Sequence, residues 1–176
     1  YDRWWEARKA WGHLMTASRD LARQTVLIGK RGVAGLEART RLLHLNIVFA
    51  EQMVRHLRDR SQPNQNAETL LSQAEREELS RSRNPPDYLL RLMGSTLVDL
   101  READVVSDVE FSLIDRTIGE QNASMTACER LLNTPVPFGY TLLLHRTAYL
   151  FCYMLPFGFA DILGPVTPFA AGMVAY

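Results

Sequence analysis

Few residues in this chain have types and spacings that could do chemistry. Glu75/Glu78 and Asp104/Asp108 are carboxylate pairs at a separation where one group could give a proton and its neighbour take one. Both lie in strongly polar stretches with no apolar surroundings to separate their roles, so solvated helix faces and caps account for them. His13, His44, His56 and His145 have no ligand-like spacing, and no H-E-x-x-H run occurs. Cys128 and Cys152 have no C-x-x-C or His/Cys neighbours, which argues against a metal site or a disulfide frame. They read as small buried thiols in a reducing compartment. Nucleophile elbows and phosphate-cradling glycine loops are missing. No catalytic residue, metal or cofactor is expected, and the chain does not read as an enzyme.

The elements that would position any site are helices. Residues 2–28 place Trp4, Trp11, Leu14 and Leu21 at helical spacing, and Gly29-Lys30-Arg31-Gly32 breaks the run. A second helix is expected over 35–60, with Leu42, Leu45, Phe49, Met53 and Leu57 on one stripe. Residues 61–66 form a loop, and a short polar helix follows over 67–82. Asn84-Pro85-Pro86-Asp87 stops one helix and starts another, because proline restricts the residue before it and tolerates a first helical turn. Residues 87–102 carry Leu89, Leu90, Met93, Leu97 and Leu100. Residues 108–132 carry Phe111, Ile114, Ile118, Met125, Cys128 and Leu132. Period-two alternation is nowhere convincing. The fold class is all-α.

Charge divides the chain. Twenty basic residues balance twenty acidic ones, so no global charge argues for nucleic acid. Residues 1–60 nevertheless carry twelve Arg/Lys against six Asp/Glu, and residues 61–130 carry seven against thirteen. From 131 onward only Arg146 and Asp161 are charged. Residues 1–133 therefore read as a helical region in water, and 134–176 as a membrane hairpin. Its first arm is long enough for the roughly 20 apolar residues a crossing needs if His145 and Arg146 lie at its aqueous end. Gly158, Asp161, Gly164 and Pro165 supply the turn, and the second arm is cut short at Tyr176. Trp4, Trp5 and Trp11 sit among Arg3, Arg8 and Lys9, a composition suited to the membrane–water boundary. A buried hairpin in a large soluble protein is the competing reading. The chain opens inside an amphipathic helix and without Met, so it reads as part of a longer protein.

Several blocks carry a resemblance. Tyr1-Asp2-Arg3-Trp4-Trp5-Glu6-Ala7-Arg8-Lys9-Ala10-Trp11-Gly12 resembles the segment after the second transmembrane helix of bacterial bestrophins. The run from Ala127 through Asn133-Thr134-Pro135-Val136-Pro137-Phe138-Gly139-Tyr140 is similar to that family's entry into its third transmembrane helix. His145-Arg146-Thr147, Leu155-Pro156-Phe157-Gly158 and Thr167-Pro168 continue in order, whereas 13–107 match mainly in helical pattern and length. The resemblance implies a homopentameric ion channel in the cell inner membrane, with several spans per subunit and residues 1–133 cytoplasmic. Its membrane neck would be lined by a helix preceding Tyr1. The family's second, cytosolic constriction is one aliphatic residue after an acidic one near a helix start. Ser107-Asp108-Val109 matches, which nominates Val109 as the aperture and Asp108 as its neighbour, with Val shorter than the more usual Ile.

The bacterial character of the blocks implies monovalent cations, sodium above all. Anion conduction within the same family is the alternative. A non-conducting membrane-anchored helical scaffold and a soluble helical regulator are readings from other classes. The basic and acidic halves could pair across neighbouring copies, and a closed ring would prevent runaway assembly from such contacts. The expected partners are copies of the chain, permeant ions and the lipid bilayer.

Overall fold

The computed structural model describes residues 2–58, 65–134, 138–164, 167 and 172–173. The chain divides into two compact units, Tyr1–Asn133 and Thr134–Tyr176. Seven helices and no strand occur among the described residues. In order they are α1 (Asp2–Gly29), α2 (Gly32–Leu57), α3 (Gln65–Leu70), α4 (Gln73–Arg81), α5 (Pro85–Glu102), α6 (Asp108–Asn133) and α7 (Phe138–Leu163).

The first unit is a bundle of the four long helices α1, α2, α5 and α6. Its most extensive packing is between α1 and α6. The buried positions of α1 are Ala10, Leu14, Ala17, Leu21, Thr25 and Ile28, and those of α6 include Ile114, Ile118, Gln121, Met125 and Cys128. Steps of three and four keep each set on one narrow stripe, the pattern by which helices interdigitate along their length. The pair runs antiparallel. At one end Arg3 Nη2 donates to the Leu131 carbonyl at 2.6 Å and Glu6 pairs with Arg130. At the other end Arg31 reaches Glu110. On the second face Leu42, Leu45, Phe49 and Met53 of α2 meet Leu89, Met93 and Leu97 of α5, all fully buried. Each such side chain contributes about 1.5–3 kcal/mol by leaving water.

A polar knot sits inside this apolar frame. Gln121, wholly buried, donates from Nε2 to Asn46 Oδ1 at 2.8 Å and to Ser18 Oγ at 3.2 Å. Asn46 Nδ2 in turn donates to the Ser18 carbonyl at 3.1 Å. Three helices are thereby tied at one level. Sliding any of them would strand buried polar atoms, so the knot holds the helices in register.

Several sequence expectations are corrected by packing. The core stripe of α1 begins at Ala10, because Trp4 is 54% exposed and Trp11 only half-buried. On α6, Leu132 is exposed as well. The second helix starts at Gly32 instead of 35 and is assigned to Leu57. The single polar helix expected over 67–82 is two helices. Ser72 breaks it by accepting from the Glu75 N–H while Glu75 accepts from the Ser72 N–H, a reciprocal cap that begins α4. Ser72→Ala is expected to cost about 1 kcal/mol, read as a lower melting temperature of the full-length protein.

The second unit is built on α7, one 26-residue helix. It runs through Gly158 and Asp161, where a turn was expected, and ends before Gly164, whose φ is +49°. Glycine tolerates that left-handed geometry without a Cβ clash. Most of the expected second arm, and Pro165 with it, lies outside the described residues. No helix among the described residues is long and apolar enough to cross a membrane. In α7, His145, Arg146, three tyrosines and Asp161 dilute an otherwise apolar run.

Candidate functional site

The turn between α5 and α6 is fixed by two caps set back to back. At the end of α5 the Asp104 N–H donates to the Arg101 carbonyl at 3.1 Å and the Val105 N–H to the Leu100 carbonyl at 3.0 Å. This paired closure needs a left-handed residue at its centre, and Asp104 supplies it with φ +57°. Val106 follows, fully buried, and pins the turn to the core. Ser107 then caps α6. Its hydroxyl and backbone N–H both donate to Glu110 Oε2, at 2.6 and 3.0 Å. Arg31, from the α1–α2 turn, donates to Glu110 Oε1 at 2.7 Å and to the Val105 carbonyl.

The rigid turn presents Val109. It stands in the first turn of α6 with 70% of its surface exposed, and Leu113 one helical turn on is 52% exposed. Asp108 beside it is ion-paired with Arg101 Nε at 2.6 Å, and Arg101 also reaches Asp104 at 3.3 Å. Asp108 and Asp104 therefore share one guanidinium and do not form a proton-exchanging pair. The hydrogen bond and charge of Asp108 hold the Arg101 guanidinium even more firmly protonated than usual.

The other candidate acids are structural too. Burial works to raise the Glu75 pKa. The bonds from Ser72 and the Arg41 guanidinium outweigh it, leaving Glu75 below the ordinary carboxylate value. Glu78 lies near Arg81 on the surface. Burial pushes the Cys128 thiol up, with Glu129 adding to the effect, so it is poorly suited to be a nucleophile. Cys152 is only half-buried. Among the described residues no group of three or more His, Cys, Asp or Glu is placed to hold a metal.

The sequence-nominated residues fall at opposite ends of the bundle. Val109 and Asp108 open α6, whereas Trp4 and Trp5 open its antiparallel partner α1. α6 has 26 residues, so its ends are about 39 Å apart at 1.5 Å per residue. Trp4 and Trp5 are exposed with ring centroids 6.3 Å apart, and the Arg8 guanidinium lies 5.0 Å from the Trp4 ring centre. His145 and Arg146 are exposed on α7, with His145 Nδ1 2.7 Å from the Thr141 carbonyl. Sequence reasoning missed Arg31 and Glu110. The Ser107-x-x-Glu110 spacing signalled the cap, but nothing local signalled Arg31, 79 residues away.

Glu110 gives a pH prediction. The bonds from Ser107, with help from Arg31, hold its carboxyl below the usual carboxylate range. Its stabilising contribution is therefore complete above the unfolded value of about 4.3 and is lost as pH falls through the lower folded value. Melting temperature should fall below about pH 4.3 more steeply in wild type than in Glu110→Gln. Equal slopes would mean the cap carries no such charge.

The architecture is an all-helical chain that displays an exposed aliphatic side chain, Val109, on a clamped turn. A family model described as Bacterial/Fungal Bestrophin protein matches residues 1–176, and the chain belongs to that family. It is 38% identical over 178 residues to the voltage-dependent anion channel-forming protein YneE of Salmonella typhi, covering 100% of this chain and 56% of that protein. It is 35% identical to the voltage-dependent anion channel-forming protein mll4386 of Mesorhizobium japonicum, covering 100% and 55%. A crystal structure of a variant bacterial bestrophin homologue from Klebsiella pneumoniae superposes with a TM-score of 0.88 at 36% identity, covering 100% of this chain and 64% of that one. The chain thus spans just over half the length of these curated relatives.

Proposed function

We propose that this chain is part of a subunit of a homopentameric anion channel, with Val109 contributing to a ring of aliphatic side chains at the cytoplasmic exit. The observation that carries the constriction is Val109 itself: apolar, 70% exposed, and held on a turn clamped by Glu110 and Arg31. A ring of such side chains offers a permeating ion no ligands and can limit flow by dewetting. For the ion, the names of the relatives favour the anion alternative over the sodium expectation.

Residues 134–176 are assigned to the bilayer and 1–133 to the cytoplasm of an inner-membrane protein. α7 exposes Leu143, Leu144, Leu150, Phe151 and Phe157, and so large an uncovered apolar surface favours an apolar surrounding. Trp4, Trp5 and Trp11, and separately His145 and Arg146, are assigned to a membrane–water boundary by their residue types. Val109 stands at the opposite end of the bundle from Trp4 and Trp5. Full-length protein reconstituted in planar bilayers under a sodium chloride gradient tests the reading. Reversal near the chloride equilibrium potential is expected. Reversal near the sodium potential would restore cation selectivity, and silence from a verified five-chain ring would indicate a scaffold.

A further inference from the structure

We propose that the pocket between α2 and the short helices α3 and α4 binds a small oxyanion, a carboxylate or a phosphate, at a site separate from the Val109 turn. The pocket has a volume of about 720 Å³, and Gln52, Arg55, His56 and Arg76 are among its lining residues. That volume lies in the range of ligand sites.

The supporting observation is a set of nitrogens without acceptors. Gln52 is 5% exposed and its Nε2 has no partner. Arg76 Nε is sealed from solvent and likewise without an acceptor. That guanidinium donates from Nη1 to the Glu68 carbonyl at 3.2 Å, and no carboxylate among the described residues forms an ion pair with it. His56 is held on Glu129 through Nε2 at 2.9 Å. Buried N–H groups in folded proteins nearly always have an acceptor, and the orphaned donors of Gln52 and Arg76, both lining this pocket, indicate a missing group. A water molecule would accept hydrogen bonds but leave the guanidinium charge uncompensated. An oxyanion satisfies both needs, with paired acceptor oxygens that match amide and guanidinium donors. Arg76 and Gln52 reach it by rotation about their side-chain torsions, which is fast on the scale of binding.

The pocket also limits what enters. Glu68 and Glu77 line it as well and are exposed. Two carboxylates there disfavour polyanions, so the ligand is small and carries one or two charges.

The test uses full-length protein in detergent, titrated separately with sodium phosphate and sodium acetate at ionic strength held constant with sodium chloride. Calorimetry should show saturable binding of at least one, and the preferred salt tells phosphate from carboxylate. Arg76→Met should weaken binding at least tenfold, whereas Arg81→Met, on the exposed surface of the same helix, should leave it unchanged. Gln52→Glu places the missing acceptor inside the protein. It should abolish binding and raise the ligand-free melting temperature by about 2–4 °C, the shift of about 1 kcal/mol in a chain of this size. No saturable binding of either salt, wild-type affinity in Arg76→Met, or a lowered melting temperature in Gln52→Glu would each overturn the site. None of these readouts involves conduction, so they stand apart from the channel assignment.

Discussion

Gly35→Ala is expected to destabilise the bundle by about 3 kcal/mol, at the upper end of overpacking costs. Gly35 is buried near the start of α2, where the chain has just turned back from α1. A Cβ there would overlap the Ile28 carbonyl oxygen and crowd Arg31 Cβ at 3.2 Å. The obstacle is backbone, so no side-chain rotation relieves it and the α1–α2 turn must open. That turn also carries Arg31, so the clamp on Glu110 should loosen with it. Gly119→Ala is the control, since nothing lies within 4 Å of its Cβ position in the middle of α6. Alanine should stabilise that helix by about 0.5–1 kcal/mol. Melting temperatures of the two full-length variants should therefore move in opposite directions. Equal behaviour would show that the α1–α2 approach is looser than described.

Substitution of Val109 should have the largest functional effect with little change in stability. Its side chain is exposed in the subunit, so shortening it leaves no sealed cavity. Val109→Ala should change melting temperature by less than about 0.5 kcal/mol equivalent, as surface substitutions do. In the proposed ring it removes two methyl groups per subunit, widens the exit and relaxes discrimination by ion size. Val109→Asp sets a ring of carboxylates in the path of the anion, and anion conductance should fall at least tenfold. Single-channel recording and calorimetry on the same preparations separate the cases. A core valine would instead cost about 1–3 kcal/mol on truncation and leave conductance unchanged.

Helical periodicity is a property of neighbours in sequence, and it made the long helices legible. Leu42, Leu45, Phe49 and Met53 recur at three- and four-residue steps and are all buried in the bundle. Asn84 with two prolines announced α5 and does cap it, accepting from the Asp87 N–H at 3.4 Å. The ends read less well, because hydrophobicity does not say whether a neighbour is present to cover it. Trp4 and Leu132 have helical spacing and an apolar surface, yet each remains more than half exposed. The split between α3 and α4 was missed for a different reason. Ser72 and Glu75 form a cap whose few local hydrogen bonds outweigh the continuation of a weak polar helix.

By itself the sequence determined the helical class, the contrast between a charged first part and an apolar end, and the motif blocks that carry family membership. Each depends on residue type and short spacing alone. Tertiary structure decided the rest, because only folding joins groups distant along the chain. It brought Arg31 to Glu110, turned Gln121 inward to Asn46 and Ser18, and joined His56 and Asn84 on the Glu129 carboxylate. It also brought Gln52 Nε2 and Arg76 Nε, both without acceptors, to one pocket, and held Val109 outward on a turn whose supports lie on α1–α2, α5 and α6. No local pattern encodes such pairings, since the free energy that makes them comes from the packing of the apolar stripes, which brings the polar groups within reach.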